Sequence, residues 1–113
     1  MKPGDVVLLR FSQADLQEGK LRPALVLALA PGRHEDVLLA LVTSRVHQAV
    51  PGFDEIIQPS DTDFAASGLK AASAIRLARL TSVEQAVIVA RLGEIAPERL
   101  KVIRQRLIDW LQK

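Results

Sequence analysis

The sequence predicts a mainly β domain with some α: a small β-barrel or half-barrel carrying a C-terminal amphipathic helix. Three observations lead there. Short apolar runs bounded by turn residues follow one another closely between residues 6 and 93. From Pro97 the spacing changes, and Leu100, Ile103, Leu107 and Trp110–Leu111 recur at helical intervals. The 113 residues, 49% hydrophobic and 25% charged, suit one domain, residues 1–113, with one core.

Each element has a local reason. Pro3-Gly4-Asp5 is a turn, and "VVLLRF" at 6–11 is a short, apolar strand. The polar "SQADLQEGK" at 12–20 contains Gly19 and suits a mobile hairpin loop. "PALVLALA" at 23–30 is a second strand, opened by a proline that a first strand position tolerates and closed by Pro31-Gly32. "DVLLALVTS" at 36–44 is a third strand, "RVHQAVPG" a loop, and "FDEIIQ" at 53–58 a weaker fourth strand. In "SDTDFAASG" one helical turn is expected, capped by Ser60, with Asp61 and Asp63 near its positive end and Gly68 closing it. "SAIRLARL" at 73–80 alternates, Ile75, Leu77 and Arg79 against Ala74, Arg76 and Ala78, and "QAVIVARLG" at 85–93 is a last strand. In the helix, Pro97-Glu98 makes the first turn and Arg99, Lys101, Arg104 and Arg106 fill the polar faces. Its apolar stripe packs on the sheet, with Trp110 sealing the end.

Composition excludes several chemistries. With no cysteine there is no disulfide scaffold, thiolate metal site or cysteine nucleophile. His34 and His47 are too isolated to suggest zinc. There is no phosphate-binding glycine loop, GxSxG elbow or HExxH helix. Fifteen basic and 13 acidic residues leave a net charge of +2, which by itself does not mark a nucleic-acid binder. Distribution says more: Arg10, Arg22, Arg45, Arg76 and Arg79 flank apolar runs and could form one basic face. No signal-peptide pattern opens the chain and no apolar run approaches about 20 residues, so a cytoplasmic location and no membrane partner are expected.

Arg22 is the residue that composition leaves open. In "KLRPALVLALA" it is either the last solvated residue before a buried strand or a cation held by a rigid strand end over a site. Pro23 restricts it to extended conformations, which narrows where the guanidinium can point.

The blocks "PGDVVLLRF", "GKLRPALVLA", "LLALVTS" and "SGLKAASAIRLARL", in that order, resemble the MazF/PemK family of bacterial toxins. These are the toxin halves of type II toxin–antitoxin pairs, and most are sequence-specific endoribonucleases. The resemblance runs from Pro3 to the terminal helix. It implies an SH3-like barrel with helices, a homodimer, single-stranded RNA (mRNA) as substrate, and a cognate acidic antitoxin whose tail folds on binding. It also implies catalytic roles for Arg22, the arginine before the proline, and Thr43, the hydroxyl closing the third strand. Weaker RNA contacts would come from Lys20, Ser44, Arg45 and Arg76.

The residue types suit that chemistry. RNA carries its own nucleophile, the 2′-hydroxyl, so the protein needs neither a nucleophile nor a metal-bound water. It must align that hydroxyl with phosphorus and stabilise the added negative charge. A planar guanidinium fits phosphate, and a threonine hydroxyl can donate to one oxygen while accepting elsewhere. The expected products are a 2′,3′-cyclic phosphate and a 5′-hydroxyl, with no metal or cofactor. His47 could assist proton movement, and Phe11 or Phe53 could stack on a base, although both phenylalanines also suit the core.

Two features depart from the family pattern: Ser73 stands where several relatives carry a carboxylate, and the 12–20 loop is compact. Two further readings stay open. One is a CcdB-like, non-enzymatic toxin that binds DNA gyrase through the terminal helix. The other is a family member that binds RNA without cutting it.

Overall fold

Strand alternation organises the molecule. The computed structural model describes residues 1–10 and 20–113, so Phe11 and nearly all of the expected 12–20 loop lie outside the described residues. Among the described residues, the strands are β1 (Asp5–Arg10), β2 (Leu21–Leu29), β3 (Val37–Thr43), β4 (Glu55–Ile57), β5 (Ser73–Val83) and β6 (Ile88–Glu94). They form one six-stranded sheet in the order β4-β5-β3-β2-β1-β6, antiparallel throughout. A single turn α1 (Phe64–Ser67) and a long helix α2 (Pro97–Leu111) complete the elements. The mainly β class with a C-terminal helix is as the sequence predicts. Of the two forms expected, barrel or half-barrel, the sheet takes the open one: β4 and β6 are its two ends, and the three-residue β4 offers little backbone with which to close a ring.

The strands read as nearly continuous apolar runs because both faces of the central sheet are covered. On one face Val6, Leu25, Leu27, Ala40, Val42, Ile75 and Leu77 pack with Ile57, Ile95 and Ile103 of α2. On the other, Val7, Leu9, Ala24, Val26, Val37 and Leu39 form a second cluster. Ile103 is fully buried and Leu100 and Leu107 lie beside it, which is the stripe expected of α2. Pro97 opens that helix at a position whose missing N–H has no helical partner to lose.

The helix arginines do more than fill solvated faces. Arg104 Nη2 donates to the Leu27 carbonyl at 3.2 Å, and Arg106 Nη1 donates to the carbonyls of Phe53 and Asp54 at 3.2 and 2.9 Å. Trp110 meets Phe53 edge-on, with centroids 5.2 Å apart, while remaining exposed on its outer side.

Around α1 the cap expected of Ser60 gives way to another arrangement. Asp63 is the N-cap residue and makes no side-chain cap. Asp61 instead accepts from the Gln58 N–H, and Asp63 accepts from the Ala96 N–H and from Arg99. A full positive charge outcompetes the weak dipole of one turn. Gly68, at φ 74°, ends α1 against β6; a Cβ there would lie 2.3 Å from the Leu92 carbonyl oxygen. Gly93 is equally tight from the other side, its hypothetical Cβ 2.0 Å from the Ala66 carbonyl oxygen.

Several strand boundaries differ from the expected ones: β2 starts two residues earlier, at Leu21, and β4 is confined to Glu55–Ile57. β5 runs on to Val83 because its second half pairs with β3 after a register shift between Ala40 and Leu41. β6 begins only at Ile88, after a 3₁₀ turn over Gln85–Val87.

Candidate functional site

The β2–β3 ladder ends at Ala24↔Leu41, whereas β2 continues against β1 through Pro23↔Leu8, Arg22↔Leu9 and Leu21↔Arg10. Counting the β2–β3 register on by two residues sets Arg22 opposite Thr43. Alternation puts both on the face of Leu9, Ala24 and Leu39, away from α2. Arg76 lies on that face too, opposite Leu41, and Thr43 pairs with Ala74. Arg22, Thr43 and Arg76 are all half-buried.

Thr43 also shapes the chain that follows it. Its Oγ1 accepts the Arg45 N–H at 3.1 Å, which turns the chain out of β3 into a 3₁₀ turn over Val46–Gln48. The hydroxyl proton is left to donate elsewhere. Ser44, Arg45 and His47 on this loop are exposed, as is Lys20 just before β2. His34 is elsewhere, in the β2–β3 connection at the far end of those strands. Ser73 is buried and donates to the Ala71 carbonyl at 2.8 Å. Arg79 is exposed in the part of β5 that the β3 ladder skips.

The sequence reading did not single out Asp54 or Gln48. Arg76 donates from Nε to Asp54 Oδ2 at 3.0 Å and from Nη1 to Gln48 Oε1 at 3.3 Å. Asp54 is buried and also accepts the N–H groups of Val50 and Leu77, each at 2.8 Å. Nothing in the spacing of "FDEIIQ" pairs Asp54 with Arg76. The β4–β5 register, Glu55↔Ile75, does so when extended by one residue.

Two other charge clusters hold the fold. Arg99 donates to Asp63, Asp61, Glu55 and the Ile56 carbonyl at 2.9–3.0 Å. Those hydrogen bonds hold the Asp63 carboxyl below the usual aspartate range despite its burial, and they push the Arg99 guanidinium still higher. Asp5 is buried, which alone would raise it. The side chain and backbone of Lys2, with Arg91, reverse that and leave it lowered. Among the described residues no group of three or more His, Asp or Glu side chains is arranged to hold a metal ion. None of the described helices is long and apolar enough to cross a membrane.

Comparison with known proteins extends this picture. A search of curated proteins finds no match. The fold is similar to the Mycobacterium tuberculosis toxin MazF-mt6, with a TM-score of 0.69 at 14% identity, covering 96% of each chain. It is similar to a mycobacterial endoribonuclease in complex with its cognate antitoxin, with a TM-score of 0.66 at 19% identity over 99% of this chain and 95% of that one. A further endoribonuclease from mycobacterial species gives a TM-score of 0.64 at 19% identity, covering 99% of this chain and 91% of the other. At such identities these likenesses establish the fold. The sequence itself matches a family description over residues 2–111, nearly its whole length. The chain belongs to the PemK-like, MazF-like toxins of type II toxin–antitoxin systems.

Proposed function

We propose that this toxin is a metal-independent, sequence-specific endoribonuclease that cuts single-stranded RNA in the cytoplasm. The observation that carries the reading is the β2–β3 register, whose last pair is Ala24↔Leu41 and whose continuation by two residues would set Arg22 opposite Thr43 on one face. A phosphate between them would meet a guanidinium on one side and a hydroxyl on the other. The RNA 2′-hydroxyl attacks phosphorus and gives its proton to solvent water. The P–O5′ bond breaks and the 5′-oxygen takes up a proton from solvent, and a 2′,3′-cyclic phosphate and a 5′-hydroxyl remain. Arg22 stabilises charge on the phosphoryl oxygens and donates to the departing oxygen; a guanidinium offers N–H donors and no acceptor, which suits it to this role and not to that of a base. Thr43 donates to a second phosphoryl oxygen. Lys20, Ser44, Arg45 and Arg76 contact neighbouring phosphates. The endoribonuclease names of two structural neighbours support this assignment.

The same cationic face suits an acidic antitoxin segment that folds as it binds, and a neighbour seen with its cognate antitoxin supports that partner. The active form is a homodimer. Incubating the purified toxin with a long RNA in EDTA tests the activity. Fragments ending in cyclic phosphate are expected, and Arg22→Ala should cut about 10²–10³-fold more slowly. Intact RNA, or cleavage indifferent to Arg22→Ala, overturns the reading. Toxicity that survives Arg22→Ala would point instead to a gyrase-binding toxin.

A further inference from the structure

One buried charge has no place in the chemistry above. The Asp54 side chain is 1% exposed, and both of its oxygens are engaged. Oδ1 accepts the Leu77 N–H at 2.8 Å; Oδ2 accepts the Val50 N–H at 2.8 Å and Arg76 Nε at 3.0 Å. A buried carboxylate is costly unless it is charge-paired and hydrogen-bonded, so Arg76 is held firmly in place. Gln48 Oε1 grips Nη1 of the same guanidinium at 3.3 Å. Two anchors on a planar fork fix its plane. Among the described residues nothing accepts from Nη2, and Arg76 belongs to the same sheet face as Thr43.

The carboxylate has a second effect. By holding the Val50 N–H it pins the far end of the loop that begins at Ser44 and Arg45. Asp54 is steadied in turn, since Arg106 of α2 donates to its own carbonyl and to that of Phe53. A pair that served stability alone would be expected to saturate the guanidinium, as the acids around Arg99 do.

We infer that Asp54 is a positioning residue for RNA. It holds Arg76 so that the open edge of the guanidinium meets one backbone phosphate beside Thr43. The inference rests on the RNA-cutting reading and deepens it.

Plain electrostatics and positioning predict opposite outcomes here, which makes the test sharp. Removing a negative charge should strengthen RNA binding if charge is all that matters. The probe is a mixed-sequence, single-stranded 2′-O-methyl RNA oligomer, which lacks the attacking hydroxyl. Its binding is followed by fluorescence anisotropy across a KCl series. Arg76→Ala should weaken binding and flatten the slope of log K against log salt by about 0.7, the loss of one phosphate contact. Asp54→Asn should weaken binding and flatten the slope by most of that amount. The double variant should be no weaker than Arg76→Ala alone. Tighter binding by Asp54→Asn, or additive losses in the double variant, overturns the inference. Arg76→Lys keeps the charge but cannot span Asp54 and Gln48, and it decides the matter if Asp54→Asn does not fold. It should bind like Arg76→Ala, and wild-type-like binding overturns the inference. Wild-type protein that ignores the oligomer at low salt overturns the RNA reading itself along with it.

Discussion

Arg99 and Arg76 are both half-buried, both flanked by aspartate, and used in opposite ways. A guanidinium has five N–H groups. Arg99 directs all of them into the protein: Nε to Asp63, Nη1 to Glu55 and the Ile56 carbonyl, Nη2 to Asp61 and Asp63. Arg76 directs Nε to Asp54 and one N–H of Nη1 to Gln48. The first is a knot that ties α2 and the α1 segment to the end of the sheet. The second is a guanidinium with its plane fixed and, among the described residues, no acceptor at Nη2. Saturation of donors, more than burial or the presence of an acidic neighbour, separates a structural arginine from one able to receive an anion.

The largest way to break the contrast is to delete each arginine. Arg99→Ala leaves Asp61 and Asp63 without their cation, with Glu55 keeping only Arg106, and should lower unfolding stability by about 3 kcal/mol or more in urea titrations. Arg76→Ala should cost about 1–2 kcal/mol, because Asp54 keeps two backbone donors. Equal losses would erase the distinction.

Acid provides a smaller and independent handle. The folded Asp63 carboxyl titrates below its ordinary value of 3.8, so on acidification the unfolded chain takes up its proton first. Stability from this group is complete above that ordinary value and is lost as pH falls through the lower folded one. The fall in Tm between about pH 5 and pH 3 should therefore be a few degrees smaller in Arg99→Ala than in wild type. A wild-type-like acid limb in Arg99→Ala would show that other carboxylates dominate.

Thr43→Val gives the smallest effect. The shape is kept and the strand tolerates valine, so thermal stability should stay within about 1 kcal/mol of wild type. Cleavage should slow by about tenfold, equivalent to about 1.4 kcal/mol. Undiminished cleavage would remove Thr43 from the site.

Much of this was legible in the sequence, for identifiable reasons. The stripe Leu100, Ile103, Leu107 is a local periodicity, and α2 formed where it predicts. The apolar runs located every strand, with errors where pairing, rather than composition, sets the ends. β5 outran its pattern because β3 had backbone left to pair, and β4 shrank to three residues at the open end of the sheet. Ser60 was misjudged because the acids beside it answer to Arg99, far along the chain. Asp54 was passed over for the same reason: its meaning comes from a residue that only the β4–β5 register brings near. Arg22 and Thr43 are marked by resemblance to a family; the β2–β3 ladder itself ends at Ala24↔Leu41, two residues before them.

Pro23 has one more consequence. Pairing between β2 and β3 stops one residue short of it, while pairing with β1 runs past it. A proline has no N–H to lend to β3, so the two strands resemble a zipper whose slider is jammed before the end. Past that stop, the strand ends bearing Arg22 and Thr43 are not laced together by the ladder. A complete ladder would have made a sturdier sheet and a shut seam.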